Sequence, residues 1–256
     1  MVYIKTHLRI VAALLMREMS ARFGNKPGGY IWALLDPAAH VMLMTLIFSA
    51  IAHAPPLGES FPLFFATGYI GFQFYLATLS QVSGALKANK SLLSYPNVAP
   101  IDTVVARYIL QMGTTVLIGL IVFSAIGSTL HTPLRPQWEF IIEAALLGSL
   151  LALGASLVNT VLFLKYPLYE SVFHIVSRPL FLLSGVVFLP EALPNPFREI
   201  ILLNPIIHVV TLFRRGFYPE YRAASFSPEY LYSWVFCALF AGMILFTFST
   251  RTLRNE

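Results

Sequence analysis

Residues Gly84–Ser91, GALKANKS, come nearest to a nucleotide-binding motif in this sequence. The phosphate-binding loop reads G-x-x-x-x-G-K-S, and its second glycine lets backbone amides curl around phosphate oxygens. Asn89 stands at that glycine position, and an apolar stretch precedes the segment where the motif requires a β-strand. We therefore expect this chain to bind no nucleotide, so that any ATP driving it is hydrolysed by another subunit.

Hydrolytic chemistry is also disfavoured by the sequence. None of the six histidines is followed by glutamate, which excludes the zinc motif H-E-x-x-H, and no G-x-S-x-G nucleophile elbow occurs. His174 and Ser177 lie one helical turn apart, but that spacing is common and the pair lacks an orienting acid. Cys237 is the single cysteine, so disulfide pairs and multi-cysteine metal sites are excluded.

Three polar residues stand within apolar stretches and could contact a transported solute. Asp36 and His40 are four residues apart, hence on one helical face, and form either a self-neutralising pair or a polar patch at the mouth of a conduit. Arg178 either extends its guanidinium to the membrane surface or presents positive charge to an anionic substrate.

Aromatic side chains offer a second kind of contact. The stretch GYIGFQFYLATLSQ contains Tyr69, Phe72 and Tyr75, which suit either core packing or stacking against sugar rings. Tyr30 and Trp32 lie where an interfacial aromatic belt is expected, beside Asp36, and we include them among the candidate conduit residues.

The composition indicates that these residues belong to a membrane protein. The chain has 256 residues, of which 57% are hydrophobic and 11% charged. A soluble domain carries about 25% charged residues, so this chain has too little polar surface to coat a globule in water. Its net charge of +5 is then more typical of loop charge that sets membrane orientation than of nucleic-acid binding.

Hydropathy predicts six membrane spans in one domain that covers residues 1–256. A helix needs about 20 apolar residues to cross the hydrocarbon layer. Five stretches meet this length, and the sixth, which precedes the last of them in the chain, is shorter and contains Arg178-Pro179. The five are Tyr30–His53, Phe61–Leu86, Thr103–Leu130, Phe140–Leu164 and Leu231–Thr250, and the sixth is Val172–Leu189.

The sequence of residues 1–27 predicts an amphipathic helix that lies in the membrane interface. Their apolar core ends after about seven residues at Arg17-Glu18, which is too short for a span and differs from a signal peptide. Basic residues concentrate on one side of the first five spans, which places both termini in the cytoplasm. Those residues are Lys5, Arg9, Arg17, Arg22, Lys26, Lys87, Lys90, Arg107 and Lys165.

The stretch before the last span predicts a pair of short external helices that re-enter the membrane. Its apolar core, Ile200–Phe213, has about fourteen residues and is interrupted by Asn204-Pro205. If this stretch crossed, the chain would have seven spans, and the local charge of Arg214 and Arg215 favours that version. Length and proline favour six spans, so the expected architecture is all-α, with the short helices between the fifth and sixth spans.

Three motifs keep their order along the chain: LLMREMSARFGNKPGGYIWALLDPAAH from Leu14, KANKSLLSYPNVAPIDTVVAR from Lys87 and NPIIHVV from Asn204. Together they resemble the ABC-2 type permeases that export capsular polysaccharide, the polysialic-acid transport family. The sequence departs from that family's pattern at Thr211, where a glutamate is usual, and at Arg215, where an acid is usual. The matching residues include Arg17, Glu18, Arg22, Tyr30, Trp32, Asp36, His40, Asn89, Tyr95, Asp102, Arg107, Asn204, Pro205, His208 and Arg214.

The resemblance implies a homodimer of permeases in the bacterial inner membrane, bound to two copies of an ATPase that holds ATP and Mg. It also implies a lipid-linked, usually acidic polysaccharide as substrate, with a periplasmic copolymerase and an outer-membrane channel as further partners. No cofactor is expected in this chain and no nucleic acid among its partners. The first cytoplasmic loop would dock on the ATPase through Leu92, Leu93, Ser94, Tyr95 and Asn97.

The candidate conduit is inferred from the residues themselves, and the external gate from the resemblance. The conduit would include Arg22, Tyr30, Trp32, Asp36, His40, Tyr69, Phe72, Tyr75 and Arg178. A periplasmic gate would include Asn204, Pro205, His208 and Arg214. Two alternatives stay open: an O-antigen or teichoic-acid exporter of the same type, and a stand-alone proton-coupled carrier with Asp36 and His40 as its relay.

Overall fold

The computed structural model describes residues 2–24, 28–93, 95 and 98–255, and these residues form helices and connecting loops without β-strands. The first helix continues into a π-helical turn at Ser20–Gly24, and a 3₁₀ turn forms at Pro190–Ala192. The α-helices are α1 (Val2–Met19), α2 (Gly29–Ile51), α3 (Phe61–Ser83), α4 (Ala85–Ala88), α5 (Lys90–Leu93), α6 (Pro100–Thr129), α7 (Trp138–Lys165), α8 (Pro167–Ser177), α9 (Leu180–Leu183), α10 (Phe197–Leu202), α11 (Pro205–Arg215) and α12 (Pro228–Asn255).

Five of these helices have the length and composition to cross a membrane: α2, α3, α6, α7 and α12. They correspond to the five long apolar stretches, so these predictions are confirmed at the level of helix length and composition. The sixth predicted span, Val172–Leu189, is divided in the structure into α8, α9 and the turn that follows. The chain breaks between α8 and α9 at Arg178-Pro179, since proline lacks an amide donor and crowds the preceding turn. The count of six crossings therefore remains a prediction.

The core forms around α7, which packs against α3, α11 and α12. Its approach to α12 depends on two glycines. A Cβ atom at Gly154 would lie 2.4 Å from the Ala238 carbonyl carbon, and one at Gly242 would lie 2.4 Å from the Gly154 carbonyl oxygen. Small residues allow such close contact between apolar helices, where dispersion between the two backbones replaces the hydrophobic effect.

The two ends of the helix bundle carry different segments. One end, which we call the Lys87 end, brings α4 and α5 beside the turn from α7 into α8. The opposite end, which we call the Arg135 end, brings together the loop 52–60, the loop 130–137 and residues 217–221.

The segment containing α10 and α11 begins and ends at the Arg135 end. Before α11, the Leu203 carbonyl accepts a hydrogen bond from Tyr230 at the start of α12; after it, the Gly216 carbonyl accepts one from the backbone of Gln137. With eleven residues at about 1.5 Å each, α11 extends roughly 16 Å, about half the hydrocarbon thickness.

Candidate coupling and conduit sites

A polar network ties α1 to the segment between α3 and α6. Glu18 near the end of α1 is 9% exposed, and Asn89 between α4 and α5 is 1% exposed. The Asn89 amide donates a 2.6 Å hydrogen bond to the Glu18 carboxylate and a 2.8 Å bond to the Ala85 carbonyl. Asn89, which breaks the nucleotide-binding motif, thus serves as a junction between α1 and α4.

Two arginines complete this network. Arg107 on α6 places Nε 3.1 Å from the Glu18 carboxylate and donates from Nη1 to the Gln81 carbonyl at 3.0 Å. Arg17 donates to the Asn89 side-chain oxygen. Burial raises the pKa of the Glu18 carboxyl, but hydrogen bonds from Arg107 and Asn89 and the two positive charges outweigh it, so the net pKa is lowered. Glu18 is therefore an anion held by two helices and a loop.

A second contact joins α1 to the start of α6. His7 Nδ1 lies 3.1 Å from both carboxylate oxygens of Asp102. Asp102 also accepts a hydrogen bond from the Ala99 backbone at 3.0 Å, which caps α6. The part of the chain between α3 and α6 is thus tied to α1 twice, at Asn89 and at Asp102 in the first turn of α6.

The predicted ATPase-coupling residues divide into two groups. Tyr95 is 61% exposed and Leu92 is half-buried, so both present surface at the Lys87 end. Leu93 is 7% exposed and packs with Val82 and Leu86, so it anchors the segment and offers almost no docking surface. Ser94 and Asn97 lie outside the described residues.

An ion pair connects this segment to the second loop of the Lys87 end. Lys87 donates to Glu170 at the start of α8 with an Nζ–Oε2 distance of 2.9 Å. A cavity of about 340 Å³ between these residues is lined by Leu86, Leu93 and Phe163 among others. The first loop is therefore in contact with α8 as well as with α1.

Four polar side chains lie close together where α2 faces α3. Asp36, His40 and Tyr69 are predicted conduit residues, and Gln73 is their neighbour. His40 Nδ1 lies 3.8 Å from the Asp36 carboxylate, and the His40 ring stacks on Tyr69 with 5.1 Å between centroids. The Tyr69 hydroxyl donates to Asp36 at 3.5 Å and accepts from the Gln73 amide at 2.7 Å. Gln73 was not among the predicted conduit residues. Its position one helical turn after Tyr69 was the feature of the sequence that could have identified it.

Asp36 and Gln73 line two cavities, each of which also contains an arginine. One, of about 260 Å³, is lined by Arg22 and Gln111, which are joined by a 2.7 Å hydrogen bond from Nη1 to Oε1. The other, of about 580 Å³, is lined by Arg178 at the break between α8 and α9. Arg22 and Arg178, widely separated in sequence, thus line two cavities that share Asp36 and Gln73, and we call these two cavities, after their four polar side chains, the polar region.

The other aromatic candidates occupy different environments. Phe72 is 1% exposed and packs edge-on against Phe181, with 5.8 Å between ring centroids, so it lies in the core. Tyr75 is partly buried against the same core. Trp32 is 61% exposed on α2, and the side chain of Tyr30 lies outside the described residues.

Three of the four predicted gate residues organise the start of α11. Asn204 accepts from the Ile206 backbone at 3.0 Å and donates to Ser184 at 3.2 Å, while Pro205 fills the first helical position. The His208 Nε2–H donates to the Leu202 carbonyl at 2.9 Å, and its Nδ1 accepts from the Ser227 backbone at 3.3 Å. This arrangement holds His208 as a neutral ring.

Arg214, the fourth predicted gate residue, is 1% exposed. Its guanidinium donates to the Val186 carbonyl at 2.6 Å and the Phe188 carbonyl at 3.1 Å, and lies 4.3 Å from the Phe64 ring centroid. Gly68 permits this approach, because a Cβ atom there would lie 2.5 Å from Arg214 Nη2. Arg214 thus fixes the turn 185–188 onto α3, in a position shielded from solvent.

Comparison with known proteins identifies the fold to which these sites belong. The ABC-2 type transporter family matches residues 10–218. The chain belongs to the ABC-2 type transporter family. Among the described residues of this ABC-2 chain, no three His, Cys, Asp or Glu side chains converge to hold a metal ion.

Curated relatives resemble this ABC-2 chain over most of its length. The polysialic acid transport protein KpsM of Escherichia coli is 32% identical over 243 residues, covering 92% of each chain. The capsule polysaccharide export inner-membrane protein CtrC of Neisseria meningitidis is 25% identical, covering 87% of this chain and 84% of CtrC. The capsule polysaccharide export inner-membrane protein BexB of Haemophilus influenzae is 26% identical, covering 83% of this chain and 80% of BexB.

Proposed function

We propose that this chain is the permease subunit of an ATP-driven exporter that moves lipid-linked capsular polysaccharide across the bacterial inner membrane. The observation that carries the proposal is the similarity to capsule export proteins across nearly the whole chain. In this proposal the chain performs no chemistry itself. ATP and Mg are bound by two copies of a separate ATPase, and two permeases form a homodimer.

The segment 84–99 is the proposed contact with the ATPase. Exposed Tyr95 and half-buried Leu92 supply docking surface, while buried Leu93 and Asn89 make the segment move as one piece with its surroundings. A displacement of this segment would shift α1 through Glu18 and α8 through the Lys87–Glu170 pair. Arg22, in the π-helical turn that continues α1, and His174 of α8 line the polar region around Asp36.

That polar region is the proposed route for the acidic head of the substrate. Arg22 and Arg178 offer planar guanidinium forks that suit phosphate or carboxylate groups. Asp36 lines both cavities and pairs with His40. Its negative charge would weaken the binding of the acidic head, so that the substrate can be released. Tyr69 is the aromatic candidate for sugar stacking that adjoins this region.

The Lys87 end is proposed to face the cytoplasm, together with both termini, because basic residues concentrate there. The Arg135 end would then face the periplasm, where a copolymerase and an outer-membrane channel continue the route. Asn204, Pro205 and His208 would form the periplasmic gate, with Arg214 as the buried support that fixes its position.

A proton-coupled carrier is the second candidate, and one observation favours it. Asp36, His40, Tyr69 and Gln73 form a connected chain of proton donors and acceptors. An ATPase gene beside the gene for this chain would exclude the proton-coupled carrier.

Deletion of this chain alone tests the proposal. We expect lipid-linked polymer to accumulate in the cytoplasm, with none at the cell surface, and a plasmid copy to restore export. Normal surface polymer in the deletion strain would contradict the proposal.

A further inference from the structure

An apolar cleft separates α6 from α7 at the Arg135 end. The two helices follow each other in the chain and are joined by Tyr108 and Ser149, whose hydroxyl oxygens lie 2.9 Å apart, but closer to the Arg135 end α3 contacts both and keeps them apart. The resulting cleft has a volume of about 380 Å³ and includes Gly119, Phe123 and Ile142 in its lining. Apart from Ser124 and the indole N–H of Trp138, the lining side chains carry no polar group.

The cleft opens on helix faces that are suited to lipid. Leu120 on α6 and Ile142 on α7 line it and are 50% and 54% exposed, and both helices have the length and apolarity of membrane spans. Trp138 lines the cleft at the first residue of α7, in the position that interfacial tryptophans occupy. An apolar cavity of about 150 Å³ admits benzene, so this one has room for a longer hydrocarbon chain. It is too small for a helix about 10 Å across.

A second cavity, bordered by charged loop residues, adjoins the apolar cleft beyond the helix ends. It has a volume of about 910 Å³, and Leu134 and Phe217 line both spaces. Charged side chains of both signs border it, namely Arg135, Glu59 and Glu220. The two spaces together therefore present an apolar slot joined to a head cavity that contains a cation and two anions.

We propose that this composite cavity binds one phospholipid whose headgroup carries both a phosphate and a primary ammonium, as in phosphatidylethanolamine. An acyl chain would occupy the cleft beside Gly119 and Trp138. Arg135 would bind the phosphate through its guanidinium, and Glu59 and Glu220 would accept hydrogen bonds from the ammonium. A choline head lacks those N–H donors, and a glycerol head lacks the positive charge, so both should bind less well.

Quenching of Trp138 fluorescence by brominated acyl chains tests the site on the full chain. Replacing Trp32 and Trp234 with phenylalanine leaves Trp138 as the only tryptophan. In phosphatidylcholine vesicles, we expect brominated phosphatidylethanolamine to reach half-maximal quenching at a several-fold lower mole fraction than brominated phosphatidylglycerol or phosphatidylcholine. Equal curves for the three lipids, or stronger quenching by phosphatidylglycerol, would overturn the proposal.

Variants separate the slot from the head cavity. Gly119→Leu places a side chain in the slot and should remove the preference, whereas Gly113→Leu on the same helix, where a Cβ atom meets nothing within 4 Å, should keep it. Glu59→Gln combined with Glu220→Gln, both at exposed positions, should also remove the preference without affecting folding. Native mass spectrometry of the solubilised protein should show the same loss of bound phosphatidylethanolamine. Retention of the preference in the double variant of Glu59 and Glu220 would contradict the assigned ammonium contact.

Discussion

The Asn89 amide lies 2.6 Å from the Glu18 carboxylate, although the two residues are 71 positions apart in the chain. Around this pair, Arg107 and Arg17 supply positive charge, and Glu18 is mostly shielded from solvent. An anion in such a setting is costly to remove because it leaves the mostly buried Arg107 without its counter-ion. The pair joins the segment proposed to contact the ATPase to the helix proposed to lie in the membrane interface.

Replacing Glu18 with glutamine should weaken this link. Loss of hydrogen bonds to a charged group should lower the free energy of unfolding by about 1.5–3 kcal/mol, and ATP-driven export should fall while the protein still inserts. Thermal unfolding in detergent and export in inverted vesicles measure the two effects. Glu199→Gln, in an exposed position on α10, is the matched control and should change neither. Unchanged stability and export in Glu18→Gln would show that the network is dispensable.

Replacing Tyr95 with alanine should uncouple the ATPase. Because Tyr95 is exposed, the free energy of unfolding should change by no more than about 0.5 kcal/mol, while transport-linked ATP hydrolysis decreases. Leu93→Ala, at a buried position, should instead destabilise the protein by about 2–5 kcal/mol. Phe197→Ala, an exposed aromatic at the Arg135 end, is the control for ATP hydrolysis. If cysteines at positions 92 and 95 cross-link to no ATPase, the docking assignment is wrong.

Substitution of Arg178 should distinguish substrate contact from simple exposure at the membrane surface. Arg178→Lys keeps the charge but loses the planar fork, so export should fall, and Arg178→Ala should lower it further. Export is measured at equal protein levels as labelled polymer released from inverted vesicles. Arg222→Lys, in an exposed position outside the polar region, should export normally. Normal export in both Arg178 variants would mean that the side chain only reaches the headgroups.

The topology prediction concerns the segment between α9 and α12. Cysteines introduced at Asn195 and Glu220, both exposed, should react with an impermeant thiol reagent added from the periplasmic side. A cysteine at Lys87 should react only after the membrane is permeabilised, which provides the opposite control. Labelling of position 220 from the cytoplasm alone would establish a seventh crossing.

Hydropathy predicted the long helices because each requires about twenty apolar residues, and α2, α3, α6, α7 and α12 meet that requirement. The break at Arg178-Pro179 was visible only as two unfavourable residues in an apolar stretch. Whether such a pair kinks a helix or ends it depends on packing with neighbours, which a single sequence does not contain.

The candidate site was predicted in part. The four-residue spacing of Asp36 and His40 placed them on one face, and the structure adds Tyr69 and Gln73 across from them. Contacts such as Glu18 with Asn89 join distant parts of the chain, so periodicity could not indicate them. Arg214 illustrates the same limit, because an arginine near a helix end suggests exposure, yet three backbone carbonyls and the Phe64 ring enclose it.

Reconstitution tests most directly whether transport by this chain depends on ATP hydrolysis by a separate ATPase. The chain is placed in vesicles alone or with its ATPase, and translocation of a labelled lipid-linked polysaccharide is measured with ATP and, separately, with a proton gradient. We predict translocation only when both proteins and hydrolysable ATP are present, and none from a proton gradient across vesicles that contain the chain alone. Gradient-driven translocation by the chain alone would contradict the proposed exporter and support the proton-coupled carrier.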